Sequence, residues 1–499
     1  MTKQFTHCFC LLLLAGIFCT APAAEMVIVK NGADPAPIVI APEALPENVL
    51  AANCLAEYIE KISGARPAVI TNAPDPAPEK AIWIGVQPAI SKLLPNIKAD
   101  FPHPEEILIA CDGMNLLIAG RDKLAGASQV EYGTANAVYT FLQKYLDVRW
   151  LWPGPLGEDI VAKKTISFKP FEYRFHPPFR QREMLNSPRY GQEVFTWSRR
   201  QRTLLDSSAM SAGHAFNDWW DKHHESHPDY FALQPDGTRS NYPNAYNVNL
   251  CESNPKVWEQ WLKNAEEALR AKPTMTVINA APNDGSTSGI CVCDGCRAWD
   301  HPEGRLCMLN WSGLSKEYPA MTDRYITFWN HLAGMLKEKF PDRGLYVSGF
   351  AYGPAMSPPV KAVPADNIII GYVGHFPSAS NERRALEKEA FGQWAQKAPH
   401  LVFRPNVFYY SGGHHGLPTL ALSNTVEDMR FLASNKCVGV IFDGIVTHWA
   451  PIGIQNYFLA QCIWDPEQDL QALLDEYCRR GFGAAADELK QYFLLMEGA

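Results

Sequence analysis

The chain has no surplus of basic charge. Its 45 Lys and Arg stand against 53 Asp and Glu, a formal net charge of −8 with both signs interspersed. No basic stripe suited to neutralising phosphates is present, which argues against nucleic acid as a partner. Internal repeats of 20 to 50 residues are missing, as are low-complexity tracts, and solenoids and arrays are thereby excluded. Beyond the first residues no stretch approaches the roughly 20 consecutive apolar residues of a bilayer crossing, so no integral membrane span is expected. No cofactor is expected either.

At 499 residues the chain is too long for one ordinary core, and two or three domains are expected, one of which can be a large barrel. It is rich in aromatic residues and proline, with 14 Trp, 19 Tyr and 38 Pro. Most aromatics serve a core, but rings exposed in a cleft also hold sugars. Residues 1–24 combine Lys3, an apolar run from about Phe9 to Phe18 and the small-residue site Ala21-Pro22-Ala23. That is the pattern of a secretory signal peptide, and a bacterial periplasmic or secreted protein is expected. Cys19 follows Gly16-Ile17-Phe18, a poor match to a lipoprotein signal. Of the 13 cysteines, removal of Cys8, Cys10 and Cys19 leaves ten in a compartment where disulfides form.

Residues 25–172 alternate short β-branched runs with two strong helical patterns, near Pro46 to Ser63 and through "TANAVYTFLQKYL". Such alternation predicts a small N-terminal α/β domain, closed by a connector at Pro153 and Pro155. From about Pro178 the period lengthens. Apolar runs at 179–185, 207–216, 246–252, 275–284, 344–353, 367–376, 401–410 and 438–449 predict eight strands. Amphipathic patterns between most of them predict helices at Glu193 to Leu205, Pro255 to Ala271, Tyr318 to Phe340, Arg383 to Lys397, Thr425 to Ser434 and Gly453 to Ile463. The fold class is therefore α/β, a (β/α)8 TIM-like barrel over 173–463 preceded by the small α/β domain. The third strand, after a long loop, and the sixth, after the proline-rich 353–366, are its least regular members. Residues 464–499 form a C-terminal helical segment that ends in mid-amphipath, as a truncated domain would.

A parallel barrel carries its active site at the carboxyl ends of its strands. Those ends hold Arg182 and Glu183, His214, Asn283 and Asp284, Tyr352, Tyr372 and His375, Tyr409 and Tyr410, and Asp443 and His448. Carboxylates, histidines and tyrosines around one mouth suit glycoside chemistry, in which a protonated carboxylic acid reaches the glycosidic oxygen. "MTVINAAPND" delivers Asp284 from a buried run into a turn, although Asn-Asp-Gly is also an ordinary turn tripeptide. A polar residue followed by an acid is the pair used by substrate-assisted hexosaminidases. Asn283 would orient the substrate's 2-acetamido group and Asp284 would donate the proton. Arg182, Glu183, His214, Tyr352, Tyr372, His375, Tyr410 and Asp443 are the candidate substrate contacts, with Glu183 and Asp443 also eligible as a second carboxylate. Arg180, Arg182 and Arg404 could grip an acidic sugar, and an ion pair of Arg182 with Glu183 is the plainer alternative. The long loop "HPDYFALQPDGTR" is a further candidate binding element.

Cys291, Cys293 and Cys296 are spaced C-x-C-x-x-C directly after Asp284. With Cys307 or Cys251 as a fourth ligand they could hold zinc. Disulfides or packing within an exported protein are the favoured account, and a redox site is a third. Each would order the loop that carries Asp284. The partner expected overall is a glycan or oligosaccharide. A sugar-binding protein without catalysis on the same barrel is the alternative from another class.

Several ordered stretches resemble one bacterial family, the domain-of-unknown-function family 4838, part of which is glycoside hydrolase family 163. They are "YGTANAVYTFLQKYLDVRWLWPG", "GHAFNDWW", "HPDYFALQPDGTR", "NLCESNPKVWE", "APNDG" with the following cysteines, and "NYFLAQCIWDPEQDL". The resemblance implies an N-terminal domain like those that precede α-glucuronidase and hexosaminidase barrels, then a catalytic barrel. It further implies an endo-β-N-acetylglucosaminidase acting on complex N-glycans. Asn283 and Asp284 match the family's N-D-G segment and His214 its G-H segment. The departure is a thin pool of second carboxylates, which favours a substrate-assisted route or an inactive binder.

Overall fold

The computed structural model describes residues 25–497 apart from 126–127, 185–190, 204–209, 211–212, 285–286, 375, 377–379, 406–419 and 443–448. Two six-stranded sheets organise it. The first is mixed, in the order Phe171–Phe175, Ile107–Cys111, Asn115–Gly120, Ala81–Ile84, Ile38–Ile40 and Val69–Thr71. Side chains alternate across a strand, and both faces here are apolar. Ile38, Ile40, Ile82, Ile84, Ile107, Ile109, Leu116 and Ile118 enter the main core with the helices Pro46–Ser63 and Gly133–Lys144. Val39, Trp83, Leu108, Ala110 and Leu117 form a second core under Ile90 and Leu94. The first helix has proline in its opening turn and stops at Gly64, whose φ of 88° is open to glycine at little cost and whose N–H caps Glu60.

The second sheet is wholly parallel, in the order Gln181–Glu183, Cys437–Ile441, His400–Phe403, Ile368–Tyr372, Tyr346–Ala351 and Val277–Asn279. Ile278, Val347, Ile368, Ile370, Leu401, Phe403 and Val440 face the helices. Val277, Ile369, Val402 and Ile441 meet on the opposite face with Met210. Helices Pro255–Ala271 and Thr322–Lys339 cover the outer face at one side, and Leu422–Ser434 and Trp449–Trp464 at the other. Two more helices, Leu470–Phe482 and Ala486–Glu497, follow in the tail.

Among the described residues this sheet is a parallel half-barrel of six strands, and a closed ring of eight is not shown. Among the described residues neither 207–216 nor 246–252 forms a strand. The second of these has only an isolated antiparallel bridge, Phe231 to Leu250. Its asparagines divert the backbone: Asn247 N–H donates to the Asn244 side chain, and Asn249 Nδ2 donates to the Ser288 carbonyl. Side chains of this kind compete with a ladder for backbone partners. The helix expected from Tyr318 begins only at Thr322, because Leu314–Pro319 pairs with Leu306–Trp311 in an antiparallel hairpin.

Gly349 lies on the helix-facing side of its strand, where an added Cβ would run into the indole of Trp329. Gly349→Ala should therefore lose about 1 to 3 kcal/mol in chemical denaturation. No helix among the described residues is long and apolar enough to cross a membrane.

Candidate active site

Four of the expected residues gather at the carboxyl end of the half-barrel. The segment 213–216 takes the place beside Val277–Asn279 where a further strand was expected. Asn279 Nδ2 donates to the Gly213 carbonyl at 2.6 Å, and Ala215 N–H to the Ala281 carbonyl at 3.0 Å. Phe216 N–H donates to Asn283 Oδ1 at 3.1 Å, and His214 Nδ1 lies 2.8 Å from the Pro282 carbonyl. These bonds fix His214 against the turn that carries Asp284.

Asp284 itself is exposed. The Tyr352 hydroxyl, at the end of Tyr346–Ala351, lies 3.5 Å from its Oδ1. Phe350, two residues earlier and so on the same face, packs with Ala281, Val373 and Tyr352. The Arg404 guanidinium sits 5.0 Å over the Phe350 ring, and the His214 ring meets the other side edge-on at 6.1 Å. A carboxyl, a phenol, an imidazole and a guanidinium thus gather around the buried Phe350 ring. The guanidinium lies within cation–π range of the Phe350 ring.

Asn283 does not share that exposure. It is 2% exposed, and while Oδ1 takes the Phe216 amide, Nδ2 donates to the Val248 carbonyl at 3.0 Å. The turn turns Asn283 inward and Asp284 outward, so the expectation that both side chains meet a substrate is corrected: Asn283 ties three chain segments together.

Strand alternation corrects two more positions. Arg182 points to the helix side, fully buried, where it pairs with Glu105 and donates to the carbonyls of Phe179 and Arg202. It reaches no mouth, nor does it pair with Glu183. Tyr372 also points to the helices, and its hydroxyl donates to the Glu387 carbonyl at 3.1 Å. Burial pushes the Tyr372 phenol well above its usual range, and the Glu387 charge adds to this. Glu183 does lie on the half-barrel's inner face, accepting from Gln181 Nε2 at 3.1 Å, but it is 2% exposed. His375, Tyr410 and Asp443 lie outside the described residues, as do Tyr409 and His448. Sequence reasoning passed over Phe350; its place two residues before Tyr352 on an inward period of two was the available signal.

Of the favoured account, disulfides or packing, the disulfide half is not what the structure shows. All ten among the described residues are unpaired. Cys251, Cys291, Cys293 and Cys296 converge, whereas Cys307 sits apart on the hairpin with its Sγ 3.6 Å from the Tyr318 carbonyl.

The half-barrel and its N-terminal sheet define an α/β protein with a polar site at the strand ends. The chain belongs to the family described as Domain of unknown function (DUF4838), whose model matches residues 152–494. No curated protein matches it. Among solved structures it is similar to the Streptomyces plicatus N-acetyl-beta-hexosaminidase in complex with Thio-NAglucal, at 11% identity and a TM-score of 0.45, over 93% of each chain. It is also similar to the beta-N-acetylhexosaminidase from Bacteroides fragilis NCTC 9343, at 12% identity and a TM-score of 0.44, over 96% of this chain and 94% of that one. The Flavobacterium johnsoniae chitobiase is similar at 11% identity and a TM-score of 0.46, over 95% of this chain and 73% of that one.

Proposed function

We propose that the protein is a glycoside hydrolase of the family 163 kind, exported from a bacterial cell, that cleaves a β-linked N-acetylhexosamine with retention. The observation that carries this reading is the exposed Asp284 carboxyl beside the Tyr352 hydroxyl, at the carboxyl end of a parallel half-barrel. Active sites of parallel barrels form at this end. Asp284 is the general acid: it protonates the departing glycosidic oxygen and then takes a proton from the incoming water. Tyr352 steadies the carboxyl, and His214 and Arg404 supply donors to sugar oxygens.

The nucleophile is the substrate's own acetamido oxygen, which closes on the anomeric carbon as the leaving group departs. Glu183, the alternative protein nucleophile on the inner face, is shut away from substrate by its burial, and this favours the substrate-assisted route. Asn283 acts as a positioning residue for the Asp284 turn. Residues 25–172 form a supporting domain, and Glu105 braces the first barrel strand through Arg182.

Paired aryl glycosides and oligosaccharides test the mechanism. Those with a 2-acetamido group should be hydrolysed, and their 2-hydroxy counterparts should turn over at least about a hundredfold more slowly. Equal rates on both would remove the substrate-assisted step and leave an ordinary carboxylate pair. Sugar binding without turnover of any substrate would replace the enzyme with a binding protein.

A further inference from the structure

We infer that Cys251, Cys291, Cys293 and Cys296 bind one thiophilic divalent metal ion, zinc by the chemistry of the donor set, as a tetrahedral tetrathiolate. One ligand atom from each of the four lies within 4.8 Å of all the others. Cys251 Sγ is 3.6 Å from Cys293 Sγ and 3.9 Å from Cys296 Sγ. Disulfide sulfurs stand about 2.05 Å apart, so neither pair is a bridge. Four sulfurs held tetrahedrally about 2.3 Å from a zinc ion stand about 3.8 Å from one another. These two separations lie on either side of that value, and none of the others exceeds 4.8 Å.

The surroundings are those of sulfur acceptors. Leu233 N–H points at Cys291 Sγ from 3.3 Å, Ser253 N–H at Cys296 Sγ from 3.4 Å, and Cys296 N–H at Cys293 Sγ from 3.4 Å. Three of the thiols thus receive a backbone donor, the outer-shell arrangement that orients metal-bound thiolates. Cys291 and Cys296 are fully buried and Cys251 nearly so, in a pocket closed by Ala232 and Leu233. The Arg324 guanidinium lies behind them, donating to the Cys291 carbonyl at 2.9 Å while it pairs with Asp300, and the Glu252 carboxyl stands 3.4 Å from Cys296 Sγ. Packing alone gives no reason for four weakly bonding thiols from two distant segments to share one point.

The ligands also explain where the site sits. Cys251 precedes the helix Pro255–Ala271, and Cys293 caps the short helical turn Asp294–Arg297. Binding would clamp these two connections together and anchor the far end of the turn that begins at Asp284. Each bound metal displaces four thiol protons to solvent, with no change of oxidation state.

Metal content measures this without reference to any activity. Full-length protein purified without chelator should carry about one zinc per chain by plasma mass spectrometry. A mercurial that titrates the thiols should release it in proportion. Cys307→Ser should keep full occupancy, whereas Cys293→Ser should fall to under about a tenth of it. If Cys293→Ser does not fold, the parent protein decides alone. Denatured in chelator, it should show every cysteine as a free thiol after the metal has been removed. Metal-free protein, after expression in zinc-supplemented medium, would overturn the assignment. So would an intact mass showing disulfides among these four residues.

Discussion

Asp284→Asn should lower hydrolysis of an N-acetylhexosaminide between about a hundredfold and ten-thousandfold, the range a single general acid contributes. The amide keeps the size and the hydrogen bonding of the carboxyl but has no proton to donate to a departing oxygen. The side chain is exposed, so stability should hardly change, with a melting temperature within about 2 °C of the parent. Substrate affinity should also survive, because binding rests on His214, Tyr352 and Arg404. An aryl glycoside whose leaving group needs little protonation should lose less than one with an alcohol leaving group. A uniform loss across leaving groups would assign Asp284 to binding.

The largest effect on stability is expected at Arg182. Its guanidinium and the Glu105 carboxylate are both almost wholly removed from water, and they join the N-terminal region to the first strand of the half-barrel. Removing one partner strands a charge in a medium that solvates it poorly, at a cost of about 3 to 5 kcal/mol. Arg182→Met should reach that range in urea denaturation, because the carbonyls of Phe179 and Arg202 also lose their donor. Replacing both partners, as Arg182→Met with Glu105→Leu, should recover most of the loss. A single variant as stable as the parent would show that the pair contributes no net energy.

The positions that were legible in the sequence share a physical cause. Continuous β-branched runs such as "NIIIGY" and "VGVIF" can be buried on two faces only in a parallel sheet, and the strands Ile368–Tyr372 and Cys437–Ile441 formed there. The helix Pro255–Ala271 spans the residues its periodicity marked, and the structure adds Asn254 as its cap. What failed was alternation at strand ends. Arg182 and Tyr372 stand at the right height but on the helix side of the sheet, a choice set by a single step of register. The same step separates buried Asn283 from exposed Asp284. Apolar content in "YNVNLCE" suggested a strand, yet the asparagine side chains took the backbone groups that a ladder would have used. The fourth cysteine was open between Cys251 and Cys307 because only tertiary folding brings residue 251 to the 291–296 loop.

The most direct test of the account is a crystal structure of Asp284→Asn bound to an N-acetylhexosamine oligosaccharide. The account predicts a sugar ring within hydrogen-bonding reach of His214 and Arg404, with the glycosidic oxygen about 3 Å from the residue 284 amide. A sugar seated instead in the cavity of about 320 Å³ at the other end of the strands, against Arg180, Tyr346 and His400, would contradict it.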